Sequence, residues 1–206
     1  AIPPNNHDAI TSIITLYQAN LELFKTYYSK QFHQKATPKK LEEYLKFRPA
    51  QENIDGFQAF CVGFWDAFKT NVNAIADYLA VLENPAADYR NNESGGHLLF
   101  RPIGFLPFVK ASLIIEDRTQ TDFAQIFERF SEIDLDLNRK PWHFVAWNPT
   151  TKSMIMRSDS VILLLLIFMY DKDLLSAAEL KAVKQGYASK IAYEGDEPEA
   201  VLDFID

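Results

Sequence analysis

The stretch from Pro49 to Glu83 constrains the fold most. Ile54, Phe57, Cys61, Phe64, Phe68, Val72, Ile75, Leu79 and Leu82 recur at alternating steps of three and four, with Phe60 and Trp65 widening the stripe. Such spacing places large side chains on one side of a helix, which must be covered by other helices. The stripe therefore predicts the spine of a helical bundle. Gly56, after Asp55, sits inside the pattern and lowers helix stability by about 1 kcal/mol, so the start can shift towards Phe57.

Other segments fit the same class. Asn6 or Asp8 is expected to cap a long first helix whose stripe, Ile10, Ile13, Ile14, Tyr17, Leu21, Phe24 and Tyr28, is its buried face. Residues 2 to 6 read as an extended connection from something upstream. Thr37-Pro38 opens a short helix to about Phe47, and Arg48-Pro49 closes it. A helix from about Pro102 to Glu116 is expected to bury Ile103, Leu106, Val109 and Leu113. Pro107 should kink it or delay its start to about Gly104. Thr121 or Asp122 caps the next helix, Ser158 or Asp159 starts a buried one over Val161 to Tyr170, and Ser176 begins the last, ending near Ser189. The period changes at Trp142–Trp147 and Ser153–Met156, which flank Asn148-Pro149-Thr150-Thr151, a type I turn signature. This predicts a β-hairpin lying on the helices. The fold class is thus mainly α, a multi-helix bundle with one small β-hairpin, as a single domain over residues 1–190 followed by an acidic, flexible tail at 191–206.

The chain of 206 residues, 48% hydrophobic and 14% aromatic, can bury a full core. Its net charge of −7 is uneven. Residues 158–206 carry four basic and ten acidic side chains, and Glu194 to Asp206 has six acids without a base. The most basic stretch holds Lys30, Lys35, Lys39, Lys40, Lys46 and Arg48, read as a solvated loop and helix end before a phosphate-binding patch. The one cysteine, Cys61, forms no internal disulfide, favouring a reducing compartment. No charged leader precedes an apolar segment, and the apolar run Val161 to Tyr170 is too short to span a bilayer. The expectation is a cytoplasmic protein with no membrane contact. A start at Ala1 rather than methionine suggests a piece of something longer.

The unusual chemistry is concentrated between Arg90 and Ala111. Gly95 and Gly96 permit backbone conformations closed to other residues, and Pro102 suits a helix N-terminus whose amides, with His97 and Arg101, could face an anion. The competing reading is a structural corner, with Arg90 and Arg101 paired to local carboxylates. Arg101, flanked by apolar residues, is expected to have an internal partner. Walker, HExxH, CxxC, G-x-S-x-G and dinucleotide motifs are missing. The histidines His7, His33, His97 and His143 are scattered, so neither a metal nor a cofactor is expected. Asp134 and Asp136 read first as a polar turn. The candidate nucleic-acid or anion-binding surface is Arg90, Asn91, Asn92, His97 and Arg101 from one loop, with Asn138, Arg139, Lys140 and Trp142 from another. No catalytic residue is assigned.

These same residues carry a resemblance. NNESGGHLLFRPIG, followed by DLDLNRKPWHFVAWNPTTKSMI, and the opening IPPNNHDAITSIITLYQANLELF together resemble the C-terminal helical region of DGQHR-domain proteins. That family includes the DndB-type proteins of bacterial DNA sulfur modification (phosphorothioation) systems. The name-giving motif is absent, since Asp55-Gly56-Phe57-Gln58 continues into Ala59-Phe60. The resemblance implies a non-enzymatic accessory or regulatory module, contributing to DNA binding through local basic loops or to assembly with other DNA-modification proteins. Two alternatives stand beside it. One is an enzyme acting on a phosphate-bearing substrate through the Arg90–Arg101 and Asp134–Trp142 loops, which requires those loops to meet. The other is a helical protein-interaction domain without nucleic-acid contact.

Overall fold

In the computed structural model, the described residues are 6, 8–47, 49–91 and 93–192. Residues 2–5 of the expected extended connection, Arg48, Asn92 and the tail beyond Ala192 lie outside them. Eight α-helices and one two-stranded hairpin make up the described fold, so it is mainly α. The helices are α1 (Ile13–Phe32), α2 (Pro38–Lys46), α3 (Gln51–Asn71), α4 (Asn73–Ala80), α5 (Pro102–Thr119), α6 (Phe123–Phe130), α7 (Asp159–Tyr170) and α8 (Ala177–Lys190). Strands β1 (Trp147–Asn148) and β2 (Ser153–Met154) pair antiparallel, Trp147 opposite Met154. No helix of the described residues is long and apolar enough to cross a membrane.

The spine is α5, not the 49–83 stripe. It packs on α1, α6 and α7, which explains why Phe105, Phe108, Val109, Ser112, Leu113 and Ile115 are buried while the expected Ile103 and Leu106 are only partly so. Pro107 does not delay the start to Gly104. The helix is continuous from Pro102 because surrounding packing outweighs one missing amide bond. Phenylalanines from three helices close the centre: Phe64 and Phe68 of α3, Phe105 and Phe108 of α5, and Phe127 and Phe130 of α6. Phe108 stacks on Phe127 at 5.8 Å, and Phe64 meets Phe127 edge-on at 5.3 Å. Such pairs add about 0.5–1.5 kcal/mol each beyond their buried area.

The long stripe is broken at Val72, where the backbone is extended. Ser131, at the end of α6, fills the gap: its hydroxyl donates to the Asn71 carbonyl at 2.7 Å and accepts from the Asn73 amide at 3.1 Å. Phe64, Phe68, Val72 and Ile75 are buried, but Leu79 and Leu82 are exposed because the chain has turned away from the core. Gly56 does not delay α3. A β-carbon there would lie 2.3 Å from the Tyr27 hydroxyl, so the glycine lets α1 and α3 approach.

The first helix also differs from its reading. Its N-cap is Ser12, whose hydroxyl accepts from the Thr15 amide at 3.1 Å, not Asn6 or Asp8. Its buried residues are Thr15, Ala19, Leu23 and Phe24, whereas Ile13, Ile14 and Tyr17 of the expected buried stripe are 83%, 61% and 59% exposed. Thr37, Asp122 and Ser176 cap as expected, Ser176 with Glu179 in a reciprocal capping box. Residues 142–146 form turns rather than a strand, which leaves the hairpin two residues deep.

Candidate functional site

The two loops singled out from sequence do meet. The Leu98 amide donates to the Leu135 carbonyl at 2.9 Å, the Leu137 amide to the Gly96 carbonyl at 2.8 Å, and His97 and Asp136 form an isolated antiparallel bridge. Short 3-10 turns at Asp88–Arg90 and Leu98–Phe100 flank the first loop. Gly95 and Gly96 both have positive φ, +87° and +76°. The His97 amide donates to Tyr89 O at 2.8 Å, which folds the chain back on itself. Glu93 pairs with Lys152 of the hairpin turn, tying a third segment to the corner.

The cations that looked available are committed to main-chain oxygen. Arg90 is buried, and its guanidinium donates to Asn6 O at 3.3 Å and Ile10 O at 2.8 Å. Arg101 donates to Gly95 O from Nε at 2.9 Å and from Nη2 at 2.7 Å, and to Asn91 O at 3.3 Å. These partners are internal, as the flanking apolar residues implied, and they are main-chain carbonyls. Burial lowers the pKa of both arginines, and Arg90 lowers that of Arg101 further. Convergent carbonyl dipoles offset part of that desolvation.

His97 is a neutral, enclosed ring. It lies edge-on to Tyr89 and Phe100, each 5.8 Å away, while Tyr89 stacks on Phe100 at 4.3 Å. Its Nδ1 accepts from the Leu99 amide at 3.2 Å, a bond that the imidazolium cannot make. Burial pushes its pKa down to about 4, against the opposing pull of Asp136 and Asp134. The unfolded chain therefore takes up a proton that the fold refuses between pH 6.5 and 4. This contribution to stability is complete above pH 6.5 and declines as the pH falls towards 4, by about 3 kcal/mol in total. His97→Asn keeps an acceptor for the Leu99 amide without the titration. Chemical denaturation from pH 7 to 4 is expected to show a shallower loss for this variant than for the parent, and parallel curves would refute the assignment.

The second loop is similarly self-contained. Asp134 accepts from the Asp136 amide at 2.9 Å and from Arg139 Nη1 at 2.9 Å, and Asp136 accepts from the Asn138 amide at 2.8 Å. Asn138 Oδ1 lies 3.2 Å from His143 Nε2. Trp142 is wholly buried and donates Nε1 to Asp134 O at 2.9 Å, so it belongs to the core, not to a contact surface as the sequence suggested. Asn91, Asn138, Arg139 and Lys140 are the described candidates that remain exposed. Among the described residues, no group of three or more His, Cys, Asp or Glu could hold a metal ion.

Two clefts lie elsewhere. The larger, about 780 Å³, sits where α1 and α5 end and is lined by Lys25, Lys30, His33, Lys35 and Arg118 among others. Lys30 is paired with Glu116 and Arg118 with Glu179, and basic side chains at helix C-termini answer the local dipoles. The second, about 510 Å³, is mostly apolar and opens between α1, α2 and α3. Tyr17, Leu21 and Phe24 of α1 form one wall, Tyr44 comes from α2, and Ile54 and Phe57 come from α3. Sequence reasoning missed this site because its residues carry ordinary core spacing, and only the positions of the other helices leave them uncovered.

The fold and corner define a helical bundle braced by a loop-to-loop knot. Comparison with protein-family models, with curated proteins and with solved structures gave no match.

Proposed function

We propose that this chain is a non-enzymatic assembly module that works by docking a protein segment, and that in the DndB-like setting its resemblance implies, the partner is another DNA-modification protein. The observation that carries this is the stripe on α1. Ile13, Ile14 and Tyr17 have core spacing yet face solvent, and the stripe runs into the apolar cleft through Tyr17, Leu21 and Phe24. Contiguous apolar surface of this kind marks interaction sites. The enzyme alternative finds less support, because both arginines, His97 and both aspartates are already bonded inside the fold. Direct DNA contact falls to exposed Arg139 and Lys140, or to the exposed Lys35, Lys39 and Lys46, in a protein of net charge −7.

A labelled duplex titrated at low salt with excess folded protein is expected to show no saturable binding. Tight binding that weakens steeply with salt and is lost on Arg139→Glu/Lys140→Glu would replace this reading by a DNA-contact one. For the assembly arm, Ile13→Asp/Ile14→Asp is expected to melt like the parent while losing a partner that the parent captures from its host lysate. Unchanged capture would overturn the docking role.

A further inference from the structure

We propose that the apolar cleft between α1, α2 and α3 is the docking site of this chain's own acidic C-terminal segment, residues 193–206, which competes there with the external partner. The inference rests on the reading of the α1 stripe as a docking surface. Three observations identify the occupant. First, the cleft wants apolar anchors: Tyr17, Leu21, Phe24, Ile54 and Phe57 line it, and Phe47 beside it is 73% exposed. The sequence Glu199-Ala-Val-Leu-Asp-Phe-Ile-Asp206 supplies Val201, Leu202, Phe204 and Ile205 within five residues.

Secondly, the charges are complementary. Residues 35–46, which carry α2 and its approach, hold four lysines and two glutamates, so this rim is net positive in a chain of net charge −7. The ion pairs Lys39 with Glu43 and Lys46 with Glu42 are internal to α2 and exposed. Exposed pairs exchange partners at little cost. The segment brings Glu194, Asp196, Glu197, Glu199, Asp203 and Asp206 without a base.

Thirdly, the segment can reach. Helices α8, α7, α5 and α1 are packed in succession, so at roughly 8–10 Å per step the axes of α1 and α8 are at most about 24–30 Å apart. The twelve residues from Ala192 to Phe204 span up to about 40 Å when extended. Tethering gives an effective concentration on the order of millimolar, so even a weak apolar contact is occupied.

The test uses the full chain. Cys61→Ser with Asp206→Cys gives a single site for a nitroxide spin label, read against ¹³C-labelled methyls. The Leu21 and Ile54 methyl signals are expected to be lost in the labelled protein and recovered with Leu202→Asp/Phe204→Asp, while the buried Ile126 methyl is unaffected throughout. Signals intact in the labelled parent, or lost equally in the double variant, would overturn the proposal. Loss that appears only between separately labelled copies assigns the cleft to a second molecule and overturns it as well. Should the signals stay intact while Ile13→Asp/Ile14→Asp still abolishes partner capture, the tail assignment fails and the docking function stands. Should capture be indifferent to those α1 changes, the docking reading itself fails.

Discussion

Gly96→Ala is expected to destabilise the fold by about 4 kcal/mol or more, among the largest effects of any single substitution. A β-carbon at position 96 would lie 2.1 Å from Tyr89 O and 3.0 Å from Asn91 N, and both are backbone atoms that cannot rotate aside. The φ of +76° adds strain of its own. Relief requires moving 89–91 away, which breaks the His97 bond to Tyr89 O and disturbs the carbonyl that receives the Leu137 amide. In a chain of this size 4 kcal/mol corresponds to a fall in Tm of roughly 8–16 °C. Gly63→Ala is the control: nothing lies within 4 Å of a β-carbon there, and in mid-helix the change should stabilise by about 0.5–1 kcal/mol. Equal melting of both variants would show that the corner is not held as described.

Trp142→Ala is expected to cost about 4–5 kcal/mol, read from urea denaturation midpoints with the slope unchanged. The indole is fully buried in the core cluster that also holds Leu135, Leu137, Val145 and Ala146, and its removal leaves a cavity. It also leaves Asp134 O without its 2.9 Å donor. Trp142→Phe separates the two causes, because it keeps most of the volume and loses the hydrogen bond, a change of about 1–2 kcal/mol. Near-parental stability of Trp142→Ala would restore this residue to the surface, where the sequence had placed it.

The contrast between these two positions shows what a linear reading can reach. Helix ends were legible at Thr37, Asp122 and Ser176 because a cap is a local matter, settled by an oxygen and an amide a few residues apart. The meeting of the two loops was legible too, as a requirement, because polar residues and glycines cluster where chains turn. The use of Arg90 and Arg101 was not, since their acceptors are main-chain carbonyls, present at every residue and silent in sequence. Nor was the exposure of Ile13 and Ile14, which depends on where α3 and α5 sit relative to α1. Helical spacing states that a face is apolar, and only the tertiary arrangement states whether it is covered.

The interruption at Val72 has a mechanical meaning. An unbroken helix through the stripe would be a stiff rod of roughly 45 Å, carrying any tilt at its start straight to its end. Two shorter rods meeting at an extended residue are set at their own angle to the core. The Ser131 hydroxyl grips the carbonyl on one side and the amide on the other, so α6 fixes the joint between them. A stripe that reads as one helix is thus two short rods, and α6, which packs along the first of them, is bonded to the chain where they join.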